Sequence, residues 1–430
     1  FFFSLANGYV SQFLDEMYSN RPYEQNFQDV NGRSFLMKLL SMKYFVGLEK
    51  YLPDGYEKVN EVIIPYDEDE KKKIENVQGE EESLGEEIKN EELLEEAQEN
   101  QEGHVIGIYE DEDALPLAYT YDSYIPRETY EEMNVMERQQ AVLQGVVLED
   151  SSLPVCEPED ESVEVSYTIT PLENCELFEN RIKAKEDNAT CLLTFEGVPN
   201  SELYIAFDNL RYLEVNRRHK YTDEEWAALP WKERRTYRIR DESVANQADI
   251  YFEADLDGET TRKSIFLITN RNNFYNGRHN FMNMVGYSEE PVTSVLVTFS
   301  EKGSYKYDDL SVYFQPTDKL DSYASERMED TAENLSIENN EISCQISLDE
   351  PKALVFAVPY GDGWTATVDG EEAELLNANT MFMALELSPG EHDIQLHYTT
   401  PYIKLGLVLT VFGLLLLAGC VVFEKKRRVK

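Results

Sequence analysis

At 430 residues the chain is long enough for two or three domains with cores of their own. Its 84 acidic residues against 39 basic ones leave a formal charge of −45, which argues against nucleic acid as a partner because phosphates would be repelled. So acidic a body suits limited contact with an anionic surface, or screening by a basic partner or a cation-rich wall layer.

The chain opens on "FFFSLANGYV", where no basic stretch precedes an apolar core, so it does not read as a signal peptide. Either an export signal has been removed, or the chain is the tail of a longer membrane protein whose N-terminal membrane helices are missing from it, and the second is the favoured expectation. "SQFLDEMYSN" and "RSFLMKLLSMKYFVGLE" have helical spacing, with Phe35, Leu36, Leu39 and Leu40 on one stripe, and the second passes into a strand at "KYFVGL". Residues 66–102 hold 16 acidic and 4 basic residues. Such a segment buries too little apolar surface to offset its ordering entropy, and it reads as an exposed insertion, part helix and part disorder. The "DED" triplets at 67–69 and 111–113 read as solvated faces rather than metal sites. "HVIGIYE" then suggests a strand pairing with "KYFVGL" across the insertion, and "PRETYEEMNVMERQQAVLQGVVL" a helix. Residues 1–150 thus form an α+β unit split by an acidic arm.

From residue 160 to 316, short β-branched or aromatic runs separated by turn residues indicate an antiparallel, jelly-roll-like β-sandwich. "SELYIAFDNLRYLEV" reads as one of its strands. Two stretches interrupt it. "RRHKYTDEEWAALPWKERRTYRIR" is basic and carries Trp226 and Trp231 with Arg217, Arg218, Arg234 and Arg235. It offers contact with a phosphate-bearing polymer or lipid headgroups, or merely neutralises the acidic body. "NRNNFYNGRHNFMNMVGYSEEP" is an Asn-rich loop, where Arg278, His279 and Asn283 offer hydrogen bonds to glycan hydroxyls or to their own backbone.

Residues 317–330 read as a linker helix and 331–401 as a second, small β-sandwich with a tight hairpin at Asp369-Gly370. Trp364 in this unit either stacks on a sugar ring or plugs one end of the sandwich beside Tyr360, and packing is the favoured reading. A transmembrane helix follows at 403–423, where Leu405 to Phe423 is a run of 19 uncharged residues that covers nearly 30 Å as a helix, about the thickness of a bilayer core. Residues 424–430 form a basic tail, and positive flanks mark the cytoplasmic side. The lipid bilayer is therefore a partner, the C-terminus is expected inside, and the bulk outside. Four of the five cysteines, Cys156, Cys175, Cys191 and Cys344, precede the apolar run that holds Cys420, and their spacing matches no zinc or CxxC pattern. Cys175 and Cys191 are the first pair to test for a disulfide; otherwise these are small buried apolar residues. His392 and His397 fall on opposite faces of a strand, and no Ser-His-Asp, P-loop or GxGxxG arrangement stands in a convincing context.

The closing sequence carries Pro359 and Tyr360, Gly363 and Trp364, Asp369 and Gly370, Asn377, Asn379, Pro389 and Gly390, His392, Tyr398 and Pro401 before the apolar run. This order resembles the C-terminal end of the bacterial YfhO family, and "GRSFLMKLLSMKYFVG", "ERQQAVLQGVVLE", "LYIAFDNL" and "GRHNFMNMVGYSE" are similar to it as well. The resemblance implies a polytopic bacterial membrane protein related to GT-C-type glycosyltransferases. Such a protein takes a sugar from a polyprenyl-phosphate-linked donor to a cell-surface glycopolymer, teichoic-acid-like and lipoteichoic acid among them. The family's catalytic acid sits on an early outer loop absent here, so no catalytic, cofactor or metal residue carries over. The alternative is a non-catalytic membrane-anchored carbohydrate-binding or scaffold protein.

Overall fold

A computed structural model describes residues 7–19, 30, 32–47, 52, 55–65, 104–214, 222–236, 247–268 and 279–428. The expected acidic insertion at 66–102 lies outside them. The protein is mainly β, its sheets almost all antiparallel, with short N-terminal helices and one long apolar helix at the C-terminal end. The strand expected at "KYFVGL" forms at Tyr44–Gly47 and pairs with His104–Glu110, whose other neighbour is Glu57–Ile64.

The C-terminal β unit shows why residues far apart in sequence must meet. Its strand Lys352–Pro359 alternates: Leu354 and Phe356 point into one core, Ala353 and Val355 into another. Apolar residues on both faces require cover on both sides. A five-stranded sheet in the order Glu333–Glu338, Glu341–Leu348, Gly390–Tyr398, Trp364–Val368, Glu371–Ala373 covers the first face. The helices Gly8–Glu16, Ser34–Leu39, Val135–Gln144 and Leu320–Arg327 supply residues to the second core. The edge of the central sheet is Ala118–Tyr121, paired residue for residue with Ala353–Phe356. The segments expected as a unit at 1–150 and a sandwich at 331–401 therefore share one sheet and one core. The helix expected as a linker is built into that core through Leu320, Tyr323 and Ala324.

The middle of the chain forms the β-sandwich expected from its strand pattern. One sheet runs Glu259–Ile268, Gln247–Leu256, Ser294–Phe299, Ala189–Phe195, Tyr167–Pro171; the other runs Phe281–Ser288, Ser201–Asp208, Asp309–Pro316, Val163–Val165. A small sheet of Arg211–Glu214, Gly303–Lys306, Arg181–Ala184 and Cys175–Phe178 closes one side. On Ser201–Asp208, Leu203, Ile205 and Phe207 enter the sandwich core, while Tyr204 and Ala206 face outward onto Val135 and Met136 of the N-terminal layer. That junction also holds a buried polar node. Glu202 accepts from Ser34 Oγ at 2.5 Å and Tyr204 at 2.6 Å, and Gln139 accepts from Arg33 at 2.8 Å. A buried charge is tolerated only with such partners.

The second "DED" triplet was expected to be solvated. Glu112 and Asp113 are exposed, but Asp111 is buried and forms a 2.8 Å ion pair with Lys38 of the helix Ser34–Leu39. After Tyr398 the chain leaves the sandwich and forms the helix Ile403–Arg428, of which Ile403–Val421 is long and apolar enough to cross a membrane and has no part buried in the protein.

Candidate functional site

Strand Ser201–Asp208 does not continue to Glu214 as its sequence suggests. It breaks at Asn209, whose φ of 52° is left-handed, a conformation that Asn adopts more readily than most residues. The chain then enters a different sheet at Arg211. The break builds a polar platform at one end of the sandwich. Asn209 donates its backbone N–H to Asn280 Oδ1 at 3.0 Å and its amide Nδ2 to Asp308 Oδ2 at 2.8 Å. Arg211 Nε donates to Asn209 Oδ1 at 2.9 Å, and Asn180 Nδ2 to the Asp308 carbonyl at 3.2 Å. Beneath them, Leu210 N–H is held by the His279 carbonyl and Asp308 N–H by the Asp208 carbonyl. Tyr18, from the N-terminal layer, borders the platform; burial and the adjacent Asp208 push its phenol up to about 12.

Asn180, Arg211, Asn280 and Asp308 are exposed. Their amides, guanidinium and carboxylate bring hydrogen-bond donors and acceptors together on one exposed surface, a chemistry that can pair with hydroxyl groups. Gln247 and Ile268, the described residues that border the two interrupting stretches, pair with each other in the neighbouring sheet. Loops on a rigid sandwich are where binding residues gather. Among the described residues no group of His, Cys, Asp and Glu could hold a metal ion.

The residues singled out from sequence fare differently. Arg278, Arg217 and Arg218 lie outside the described residues. His279 is half-buried at the platform's edge. Asn283 does not belong to a surface loop: it is 2% exposed on strand Phe281–Ser288, paired with Ile205, and donates to the Ser264 carbonyl at 3.3 Å. The apolar run of Phe281, Met282, Met284 and Val285 carries the strand past it, so the loop ends before Asn283. Trp226 is half-buried on the helix Asp223–Ala228, which a Thr222–Glu225 capping box starts. Trp231 is 61% exposed. Trp364 packs on Tyr398, with ring centroids 5.3 Å apart, at the end of the C-terminal sandwich. Asn180, Asn209, Arg211 and Asp308 were missed. The sequence signal was Asp208-Asn209 inside an otherwise apolar strand, a turn pair read as part of the run.

The residues of the closing motif mostly hold the fold. Asn377 Nδ2 donates to the Thr380 carbonyl at 2.8 Å, and Thr380 Oγ1 donates to Glu16 at 2.6 Å. Arg127 bonds both Thr380 and Glu16, tying the N-terminal helix to this turn. The Tyr360 carbonyl accepts from Asn7 at 2.8 Å, and its ring meets Tyr9 edge-on.

The family described as "Bacterial membrane protein YfhO" matches residues 1–410. The chain belongs to that family. Among curated YfhO relatives, the "Uncharacterized protein YfhO" of Bacillus subtilis (strain 168) is 22% identical over 310 residues, covering 72% of this chain and 31% of that protein. The match thus spans under a third of that relative's length. Among solved structures, the CBM22-1 and GH10 modules of Clostridium thermocellum xylanase 10B, complexed with xylohexaose, align at 10% identity over 35% of this YfhO chain and 25% of theirs, TM-score 0.19. The arabinofuranosyltransferase AftD from Mycobacteria aligns at 11% identity over 37% of this chain and 12% of its own, TM-score 0.15. Likenesses at these TM-scores say nothing further about the chain.

Proposed function

We propose that this YfhO-family chain is the extracytoplasmic body and closing helix of a polytopic, GT-C-like glycosyltransferase, and that the platform around Asn209 holds the acceptor. The donor in this reading is a polyprenyl-phosphate-linked sugar, and the acceptor a cell-surface polymer of the teichoic-acid type such as lipoteichoic acid. Transfer itself belongs to membrane-embedded residues outside this chain. The observation that carries the reading is the fixed donor–acceptor array of Asn180, Asn209, Arg211, Asn280 and Asp308 on a protein of a membrane family. Arg278, His279, Trp226 and Trp231 are further contact residues in this reading, flanking the array along the chain. The basic tail after Phe423 supports a cytoplasmic C-terminus.

The test is titration of the full chain in detergent with purified lipoteichoic acid and with uncharged glycans. Saturable binding that Arg211→Ala and Asn280→Ala weaken, with unfolding midpoints unchanged, supports the reading. Binding to the phosphate polymer should weaken with salt, since the contacts are exposed. An absence of saturable binding to every ligand overturns it and leaves a scaffold. Protease added to intact cells tests the orientation separately: the bulk should be cleaved there and protected in inverted vesicles.

A further inference from the structure

We infer that Cys175 and Cys191 are a disulfide-forming pair that staples the small sheet to the main sandwich. Cys175 opens the strand Cys175–Phe178 of the small sheet, and Cys191 sits inside Ala189–Phe195 of the five-stranded sheet. The backbone brings them together. Leu172 N–H bonds the Thr190 carbonyl at 3.0 Å, and Thr190 N–H bonds the Glu173 carbonyl at 2.9 Å, so the segment leading into Cys175 is clamped beside Cys191. Cys191 belongs to the sandwich core and Cys175 packs against that same core, both as free thiols. Other cysteines are elsewhere: Cys156 packs on the N-terminal core, Cys344 inside the C-terminal sandwich, and Cys420 on the apolar helix.

The two thiols differ in the way thiol–disulfide exchange requires. Cys175 is half-exposed, and the Cys191 thiol and the Lys185 ammonium favour its thiolate. Cys191 is buried, and its proton is held by contact with Cys175 and by burial. The co-reactant is a small-molecule disulfide such as glutathione disulfide. Cys175 thiolate attacks one of its sulfurs, the reagent's S–S bond breaks, and one glutathione thiolate leaves. Cys191, giving its proton to that leaving thiolate, then attacks Cys175 Sγ, forms the protein S–S bond and expels the second glutathione. The two cysteines lose two electrons and the reagent gains them. This chemistry is independent of the glycan reading and of which side of the membrane the sandwich faces.

The test uses the full chain, reduced, freed of reductant and exposed to glutathione disulfide. Lys183 and Lys185 separate the two cysteines, so trypsin leaves them on different peptides that only a disulfide can join. Blocking free thiols, digesting and weighing the peptides should show the Cys175–Cys191 peptide pair, lost on reduction. Cys191→Ser should instead trap glutathione on Cys175, and Cys175→Ser should leave Cys191 unmodified in the native protein. Oxidation should raise the thermal midpoint of the wild type and leave that of Cys175→Ser unchanged. Stable glutathionylation of Cys175 in the wild type, or two free thiols after oxidation, overturns the proposal. Should Cys191→Ser fail to fold, the peptide pair and the Cys175→Ser protein still decide it.

Discussion

Asn379 pairs with Val147 as one strand pairs with another: its backbone N–H donates to the Val147 carbonyl at 3.0 Å, and its side-chain oxygen accepts from the Val147 N–H at 2.8 Å. The two residues are 232 positions apart, and the contact seals the parallel pair Tyr124–Pro126 and Val146–Leu148 against the C-terminal sandwich. Asn379 is buried with φ of 47°, so the same residue satisfies a left-handed turn and a buried N–H. Asn379→Ala should lose both and destabilise by about 2–4 kcal/mol, the cost of an orphaned buried donor plus left-handed strain. Asn379→Gly relieves the strain and should cost about 1–3 kcal/mol. Urea unfolding of the three proteins checks the ranking; an alanine variant no worse than glycine would show that the turn carries no strain.

The ion pair of Lys38 and Asp111 makes a second prediction. Both side chains are under a tenth exposed, at 7% and 6%. Removing one partner leaves a buried charge, so Lys38→Met should destabilise by roughly 3–5 kcal/mol. Asp111→Leu alone should cost a similar amount, with the loss of its bond from Asp113 N–H included. The double variant should recover most of the loss, since an apolar pair of similar volume needs no compensation. A double-mutant cycle by chemical denaturation measures the coupling, and additive losses would remove the pair from the account of stability.

These contacts mark what the sequence made legible. The alternation of Ala189–Phe195 and Ser294–Phe299 announced the sandwich, because period-2 burial is a local property of each strand. The Asp369-Gly370 hairpin was equally readable, and both residues adopt the positive φ that its tight turn demands. What failed to show was which segments share a core. "AYTY" at 118–121 is too short to declare its partner, and its place beside Ala353–Phe356 follows only from the second apolar face of that strand. The platform was obscured for a related reason: one Asn in the left-handed region turned a continuous strand pattern into two strands of different sheets.

The Asp369–His392 pair predicts a pH response of the hairpin. His392 Nδ1 lies 2.8 Å from Asp369 Oδ2 and Nε2 lies 2.9 Å from the Ser388 carbonyl, so both ring nitrogens face acceptors. Burial works against the charge, but the Asp369 carboxylate and the Ser388 carbonyl outweigh it and hold the imidazolium above its ordinary value. A folded pKa above the unfolded value near 6.5 means the stabilisation is complete below about pH 6.5 and fades as pH rises through the folded value. Asp369 is held low by the Asp393 N–H and by His392, so its share is present above the unfolded carboxylate range and is lost as pH falls through its folded value. His392→Gln should therefore differ most from wild type at about pH 5–6, below the unfolded His value, and converge with it once the pH has risen through the raised folded value. Melting curves across pH and an NMR titration of the His392 ring test this, and a ring that titrates below 6.5 would contradict it.

Trp231 and Trp364 should part company when replaced. Trp364 leans on Tyr398, and a Cβ on Gly363 would strike that same Tyr398 ring, so this corner is closely packed. Trp364→Ala should cost about 2–3 kcal/mol, less than a fully buried Trp, and leave polymer binding intact. Trp231 is mostly exposed, and Trp231→Ala should move stability by no more than about 0.5 kcal/mol. Under the acceptor-holding reading it should nevertheless weaken lipoteichoic acid binding, because an exposed indole gives a sugar or lipid its apolar face. Paired titrations and unfolding curves separate the two effects. If Trp231→Ala binds as wild type, the exposed ring is no contact, and the acceptor rests on the Asn209 platform alone.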